Sequence, residues 1–157
     1  MRSREALMAV PTPIRVKVKK LSPTASIPEK GSVDAAGFDL VNNENENVEL
    51  KAGDWHFFKT GISLEIPSGH VGFIYARSGL GCKHGIAPRN CVGVIDSDYR
   101  GEIIVCLQNY GNTTFTINKN DKIAQLIITK LPYVKLIEAE SLTETERGDG
   151  GFGSTGH

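Results

Sequence analysis

The sequence lacks a net charge and a long apolar run. Its 18 basic and 18 acidic residues cancel, so no overall positive field favours binding to nucleic acid or to a membrane surface. An anionic ligand therefore needs a local binding site. The apolar runs are far too short to span a bilayer, which excludes a membrane-spanning helix from the expected fold.

The chain also has few cysteines. Cys82, Cys91 and Cys106 form no CxxC pair, and an odd number without paired spacing argues against a disulfide framework and a structural zinc site. Each cysteine is predicted to be a small side chain of the apolar core. A reducing, cytoplasmic location is expected.

A helical repeat of apolar residues is missing as well. Short apolar runs are instead separated by Gly, Pro, Asn and Asp at the spacing of roughly 8–12 residues that is typical of all-β sandwiches. The strand candidates are residues 14–20, 37–40, 55–59, 62–66, 71–75, 113–117, 122–131 and 133–138. We predict an all-β fold, a sandwich or jelly roll, with at most one short helix after Ser78.

The length of 157 residues predicts a single domain with flexible ends. Residues 1–12 are expected to form a flexible leader, and residues 13–140 the β domain. Residues 141–157 end in a glycine-rich stretch that is too dense in glycine for a packed element. Residues 141–157 are therefore predicted to be a mobile arm unless a ligand orders them.

Residues 90–105 contain two apolar runs around a short polar turn, a pattern that predicts a β-hairpin. Asp96 ends the first run, where a buried strand would supply another hydrophobic residue. A carboxylate at the rim of an apolar hairpin is costly unless it is used. We interpret the hairpin as the wall of a small-molecule pocket in which Asp96 does chemistry.

Two glycine-containing segments suit anion binding. In residues 76–81, a cap by Ser78 would expose backbone N–H groups, and Arg77 would add further donors. The glycine-rich end offers Arg147, hydroxyl groups and Phe152, which is placed to stack on a planar ring. The alternatives are an ordinary turn with a surface arginine and a disordered tail.

Three acidic residues and one glutamine are further candidates. Asp39, Asp96 and Asp98 lie in or beside strand runs, and acids near a phosphate site recruit Mg²⁺ or activate water. The alternative for each is a turn-forming aspartate, which fits Asp98 best because it lies inside the turn. Gln125 interrupts an apolar strand, so it needs a hydrogen-bond partner if it is buried.

These segments resemble, in the right order, the five motifs of the trimeric dUTP pyrophosphatases (dUTPases). The five are AGFDL at residues 36–40, RSGL at 77–80, the segment 90–101, DKIAQL at 121–126, and RGDGGFGSTG at 147–156. Phe38 replaces a more usual Tyr, Ala76 a more familiar Pro or Gly, and Asn120 a common Gly. The resemblance covers about residues 13–156.

The resemblance implies a jelly-roll-like fold, a homotrimer with active sites between subunits, and Mg²⁺-dependent hydrolysis of dUTP to dUMP and pyrophosphate. Asp96 would deprotonate the attacking water, and Asp39 would support the site through the metal's water shell. By the same resemblance, the substrate-binding residues would be Arg77, Ser78, Gly79 and Gln125 at the phosphates, Asn90, Gly93, Val94, Ile95, Tyr99 and Ile104 at the nucleoside, and Arg147, Phe152, Gly153, Ser154 and Thr155 in the closing arm.

Two other functions remain open from the sequence. A related dCTP deaminase shares the fold by analogy, but its chemistry would want a glutamate where the hairpin offers Asp96. A nucleotide-gated binding protein without catalysis would use the arm as a ligand-dependent interaction surface. Ammonia release from dCTP would indicate the first, and nucleotide-dependent capture of a partner the second.

Overall fold

The computed structural model describes residues 12–151, which form antiparallel strands and one short helix. The strands are Lys17–Lys20 (β1), Glu29–Lys30 (β2), Phe38–Val41 (β3), Val48–Leu50 (β4), Trp55–Glu65 (β5), His70–Tyr75 (β6), Ile86–Pro88 (β7), Gly93–Ile95 (β8), Glu102–Asn109 (β9), Phe115–Ile117 (β10) and Lys122–Lys130 (β11). The helix α1, Ser78–His84, follows β6. The predicted all-β fold with one short helix from Ser78 is confirmed.

Two larger sheets build the fold. One has the strand order β1-β5-β9-β7 and the other the order β2-β3-β11-β6-β8, while β4 and β10 pair with each other. Buried residues from both larger sheets belong to one hydrophobic core. The described strands therefore form a sandwich of open sheets and close no barrel.

Strand β9 shows why the sequence folds this way. Ile103, Val105 and Leu107 are buried, whereas Ile104 between them is 43% exposed. This alternation places every second side chain in the core and fixes the strand register, because a shift of one residue would bury the opposite set. Ile104 is consequently available to a surface site.

A bulge interrupts the pairing of β5 with β9. The register shifts between Lys59 and Ser63, and Gly61 adopts a left-handed backbone with φ of 69°. The Thr60 hydroxyl donates to the Ile103 carbonyl at 2.6 Å, and the Gly61 N–H donates to the Glu102 carboxylate at 2.9 Å. Side chains thus replace the backbone hydrogen bonds that the bulge removes.

The predicted hairpin at residues 90–105 is wrong. Strand β8 pairs with β6, whereas β9 pairs with β5 and β7, so the two runs belong to different sheets. Each run finds a partner strand that also covers the core, and residues 96–101 carry the chain from one sheet to the other. The sequence pattern predicted the two strands but not their partners.

The strand predicted at residues 133–138 is also wrong. These residues form no strand, and Tyr133 and Leu136 are 95% and 92% exposed. A strand needs a neighbour for its backbone hydrogen bonds, and this chain supplies none there. The predicted boundary of the β domain at residue 140 and the leader at residues 1–12 stay predictions, and all of the leader but residue 12 lies outside the described residues.

The prediction of three core cysteines is largely wrong. Cys82 and Cys91 are exposed, and only Cys106 is partly buried. Burial raises the pKa of the Cys106 thiol, and the nearby positive charge of Arg89 partly opposes that rise. Across residues 12–151, the structure contains no helix with the length and apolar character that crossing a membrane requires.

The bulge predicts a position-specific cost of adding a methyl group. In Gly61→Ala the new Cβ would overlap the Asn43 side chain and lie 2.8 Å from the Ala25 Cβ. We expect the free energy of unfolding to fall by about 2–4 kcal/mol. Gly53→Ala is the control, since Gly53 also has a positive φ but open space around it, and it should cost about 1 kcal/mol. Equal losses in denaturant titrations would contradict this account.

Candidate functional site

A polar cleft of about 260 Å³ opens where β3, β11 and α1 meet. We call it the anion cradle, and its lining residues are Gly31, Ala35, Ala36, Gly37, Asp39, Arg77, Ser78, Gly79 and Gln125. It brings together residues from the predicted motifs at 36–40, 77–80 and 121–126. These motifs are distant in sequence but adjacent here because β11 pairs with both β3 and β6.

Arg77 is held in the cradle by two contacts of its own, and a third contact holds its partner Asp39. Its Nε lies 2.9 Å from Asp39 Oδ1, and its Nη1 donates to the Lys122 carbonyl at 3.0 Å. The Lys122 ammonium lies 2.8 Å from the second Asp39 oxygen. Asp39 therefore pairs with two cations, and because its side chain is only 15% exposed, these pairs fix the guanidinium in place.

Ser78 begins helix α1 but does not cap it. Arg77 occupies the N-cap position with an extended backbone, and no side chain donates or accepts a capping hydrogen bond there. The predicted cap by Ser78 is thus wrong. Ser78 and Gly79 are exposed at the first turn, where the backbone N–H groups have no partner within the helix. Both residues line the cleft together with Arg77.

Gln125 has the partner that the sequence required. Its side-chain nitrogen donates to the Ala76 carbonyl at 2.9 Å. Its packing depends on a glycine, because a Cβ at Gly37 would lie 2.7 Å from Gln125 Oε1. Gly37 therefore keeps the floor of the cradle open for the glutamine.

A second pocket, of about 150 Å³, lies between β8, the segment 96–101 and the outward face of the first residues of β9, and we call it the β8–β9 pocket. Its lining residues are Val94, Ile95, Asp96, Tyr99, Glu102 and Ile104. Both predicted apolar runs thus contribute walls to one pocket although they do not pair. Strand β8 is the last strand of its sheet, so its outer edge presents backbone N–H and C=O groups that no described strand uses.

The crossing turn holds Tyr99 against this pocket. The Tyr99 N–H donates to the Asp96 carbonyl at 3.2 Å, and the Tyr99 hydroxyl donates to the Glu102 carbonyl at 3.1 Å. The ring packs over Gly101, whose added Cβ would lie 2.5 Å from Tyr99 Cζ. Arg100 donates to the Ser97 carbonyl at 2.7 Å. Tyr99 is therefore held both at its backbone and at its hydroxyl group.

The two clefts of one chain do not converge. Asp39 pairs with Gln125, and Gln125 with Tyr75, so these side chains share one face of the sheet. Ile95 pairs with Gly72 and Val94 pairs with Phe73, so Ile95 faces away from the cradle's side of the sheet while the neighbouring Val94 shares that side. Strand β8 is also three strand spacings from β3, roughly 14 Å.

Several predicted residues are not brought to either cleft. Asn90 is exposed on the turn before β8 and lines neither cleft. Arg147 donates to the nearby Gly150 carbonyl at 2.8 Å, in an exposed turn. Asp98 is exposed in the crossing turn, as the turn-forming alternative predicted. The remaining predicted arm residues lie outside the described residues: Phe152, Gly153, Ser154 and Thr155.

The sequence reasoning missed three contributors. Lys122 pairs with Asp39, Gly37 makes room for Gln125, and Glu102 lines the β8–β9 pocket. Gly37 and Lys122 belong to the motifs at residues 36–40 and 121–126. Their proximity in sequence to Asp39 and Gln125 could have indicated that they contribute to the site. Glu102 had none, because the role of its carboxylate depends on the distant bulge.

A metal site built by the protein alone is not found. Among residues 12–151, no three His, Cys, Asp or Glu side chains are arranged to hold a metal ion. Both carboxylate oxygens of Asp39 face cations, whereas Asp96 is exposed.

The fold and the two clefts define an antiparallel β-sandwich protein with a basic anion cradle and a separate pocket beside an exposed carboxylate. The dUTPase family model matches residues 24–156. This chain belongs to the dUTPase family.

Individual members of the family are similar to this chain in sequence or in structure over most of its length. The deoxyuridine 5'-triphosphate nucleotidohydrolase of Nautilia profundicola is 48% identical over 143 residues, which cover 91% of this chain and 99% of that protein. A mutant Staphylococcus bacteriophage 80alpha dUTPase, solved with dUpNHpp, matches with a TM-score of 0.83 and 27% identity, covering 91% of this chain and 99% of that one. A mutant dUTPase of phage phi11 of S. aureus, with a structural Mg(II) ion, has a TM-score of 0.73 and 26% identity over 81% and 97% of the two chains.

The close contact of Gly37 with Gln125 predicts a sensitive position in the cradle. Gly37→Ala should displace the Gln125 side chain from the Ala76 carbonyl and weaken tripolyphosphate binding about tenfold. Gly31→Ala is the matched control, because Gly31 lines the same cleft but a Cβ there would meet no atom within 4 Å. Isothermal titration calorimetry measures both. Equal tripolyphosphate affinities of the two variants would show that the position of Gln125 does not affect anion binding in the cradle.

Proposed function

We propose that this protein hydrolyses dUTP to dUMP and pyrophosphate, which supplies dUMP for thymidylate synthesis and keeps uracil out of DNA. The observation that carries the proposal is the position of Asp96, an exposed carboxylate at a pocket walled by Tyr99 and the free edge of β8. The family membership and the name of the Nautilia profundicola relative support it.

The anion cradle suits the phosphates of the nucleotide. Arg77 offers a fixed guanidinium, which matches phosphate oxygens by paired hydrogen bonds. Ser78 and Gly79 add a hydroxyl and backbone N–H groups, and Gln125 completes the floor. Asp39 acts here through Arg77, and its further contact with the water shell of a metal ion stays a proposal.

The β8–β9 pocket suits the nucleoside. The backbone of Gly93, Val94 and Ile95 at the sheet edge offers donors and acceptors for the uracil edge, together with Asn90 from the preceding turn. A close backbone leaves no room for a 5-methyl group, which would exclude dTTP. Tyr99 packs on the deoxyribose, where a 2′-hydroxyl would collide with the ring. Ile104 adds an apolar wall.

Asp96 performs the proton transfer in this mechanism. Its exposed carboxylate orients a water molecule toward the α-phosphate and takes its proton as the water attacks. Pyrophosphate leaves from the opposite side, while the donors of the cradle hold the phosphate charge. Mg²⁺, held mainly by the substrate's phosphates, would supply the neutralisation of the charge that develops.

The site needs more than one chain. The cradle and the β8–β9 pocket of a single chain share no lining residue, and their strands β3 and β8 are three strand spacings apart, so we propose that the pocket of one subunit meets the cradle of another in a homotrimer. Residues 131–142 support this assembly, because an extended apolar segment that is exposed in one chain gains burial on a neighbouring chain. Its exposed apolar residues are Leu131, Tyr133, Val134, Leu136, Ile137 and Leu142.

The glycine-rich arm is proposed as a lid over the bound nucleotide. Arg147 lies in an exposed turn and is free of any cleft of its own chain. Its guanidinium would add to the phosphate charge, Phe152 would stack on the uracil, and Gly153, Ser154 and Thr155 would contact phosphate oxygens. Closure of such a lid excludes water from the reaction. We also propose a cytoplasmic location, where three free thiols stay reduced.

Substrate selectivity tests the proposed function. The protein is incubated with dUTP, dTTP, dCTP and UTP in the presence of Mg²⁺, and pyrophosphate release is measured. We expect release from dUTP at least about 100-fold faster than from the other three. Pyrophosphate release without preference for dUTP would contradict the proposed function. Ammonia release from dCTP would indicate a deaminase.

Removal of the Asp96 charge tests the proposed mechanism. Asp96→Asn preserves the shape of the side chain but cannot accept the proton of the attacking water. We expect kcat to fall by about 10²–10⁴-fold while the affinity for a non-hydrolysable dUTP analogue stays within about twofold. Asp98→Asn, in the same turn, is the control and should retain its rate. An undiminished rate in Asp96→Asn would exclude Asp96 as the base.

The assembly has its own test. Light scattering of the purified protein should give the mass of three chains of 17.0 kDa. Deletion of residues 131–157 should lower this mass or the melting temperature, because the exposed apolar segment would no longer pack on a neighbour. A monomer mass for the intact protein at micromolar concentration would contradict the shared site.

A further inference from the structure

Glu102 joins the bulge of β5 to the β8–β9 pocket. Its carboxylate accepts the Gly61 N–H at 2.9 Å, and its backbone carbonyl accepts the Tyr99 hydroxyl at 3.1 Å. We propose that Glu102 is a positioning residue that fixes the Tyr99 ring and thereby sets the discrimination between deoxyribose and ribose nucleotides. For its substrate, this inference rests on the proposed function.

The bulge is a rigid anchor for Glu102. Gly61 is held by contacts on both sides, because its carbonyl accepts the Leu21 N–H at 2.7 Å while Asn43 and Ala25 pack against its Cα. At the register shift the left-handed Gly61 has no backbone partner on β9, and its N–H donates to the Glu102 side chain instead. A group fixed in this way restrains whatever hydrogen-bonds to it.

The Glu102 carboxylate is what satisfies that N–H. Because the register shift removes the backbone acceptor, loss of the carboxylate would leave a partly buried donor unpaired. Ser63 pairs with Glu102 across the ladder, so residue 102 begins β9 at a defined place. The backbone carbonyl that receives Tyr99 is fixed at the same place.

The Tyr99 ring depends on that carbonyl. Its backbone is held by the turn from Asp96, and its ring lies over Gly101 without room for a side chain there. The hydroxyl contact with the Glu102 carbonyl is the remaining restraint on the ring. A shift of residue 102 therefore moves the wall that would contact the sugar, while Asp96 keeps its own place at the other end of the turn.

The test compares two Glu102 variants by steady-state kinetics with dUTP and UTP. Glu102→Ala should raise KM for dUTP about tenfold and lower the dUTP-over-UTP ratio of kcat/KM about tenfold, while kcat changes less than about threefold. Glu102→Gln retains an acceptor oxygen and should stay within about twofold of the wild type. Glu65→Ala is the matched control, since Glu65 is on β5 in an exposed ion pair with Lys17, and its ratio should not change.

A second measurement follows the hydrogen bond from the Gly61 N–H to the Glu102 carboxylate in the absence of substrate. Hydrogen exchange at the Gly61 amide should be slow in the wild type and Glu102→Gln, and faster in Glu102→Ala. Tyr99→Phe should lower the nucleotide ratio but leave the Gly61 amide protected. If Glu102→Ala fails to fold, the Tyr99→Phe ratio and the Glu102→Gln rescue still decide the proposal, because an unchanged ratio in Tyr99→Phe overturns it.

The outcomes separate the two proposals. A wild type that does not prefer dUTP overturns the proposed function. The Gly61 exchange rates still report on the hydrogen bond between Gly61 and Glu102 in that case. A dUTP-selective wild type with an unchanged ratio in Glu102→Ala overturns the positioning role alone. A fall in kcat at constant KM and constant ratio also overturns it, since that pattern belongs to the chemical step.

Discussion

The crossing of the chain from one sheet to the other at residues 96–101 is the constraint on which the site depends. Among residues 12–151, β8 pairs with β6 alone and β9 pairs with β5 and β7, so a pocket opens between β8 and β9 instead of a hairpin ladder. The edge of β8, the Tyr99 ring and the Asp96 carboxylate all owe their positions to this crossing. A paired hairpin would have closed the same space with backbone hydrogen bonds.

The anion cradle depends on a different constraint. The Arg77 guanidinium has to be accessible to phosphate and also held in one orientation. Asp39 holds Arg77 and Lys122 together at 2.9 and 2.8 Å. Such a partly buried pair orients its members more than it stabilises the fold. The cost of ordering the guanidinium is then met during folding and not on binding the nucleotide.

Local patterns predicted most of the strands and motifs, and long-range pairing explains the failures. The apolar runs on either side of the turn and the turn itself at residues 97–101 could be recognised from neighbouring residues alone, but the separation of β8 from β9 could not. The same holds for Glu102, whose partner Gly61 is distant in sequence, and for residues 133–138, which look like a strand but lack a neighbour in this chain. Cys82 and Cys91 are exposed and lie beside Lys83 and Asn90, so the apolar character of cysteine alone did not predict their burial.

The central claim is that each nucleotide binds between the β8–β9 pocket of one chain and the cradle of another. Mixed trimers of Asp96→Asn and Arg77→Ala chains test it most directly, with each variant alone as the inactive control. If the site draws Asp96 and Arg77 from different chains, random mixing restores dUTP hydrolysis in about a quarter of the sites. If both residues act within one chain, no mixed trimer contains an intact site, and the absence of restored activity would contradict the account.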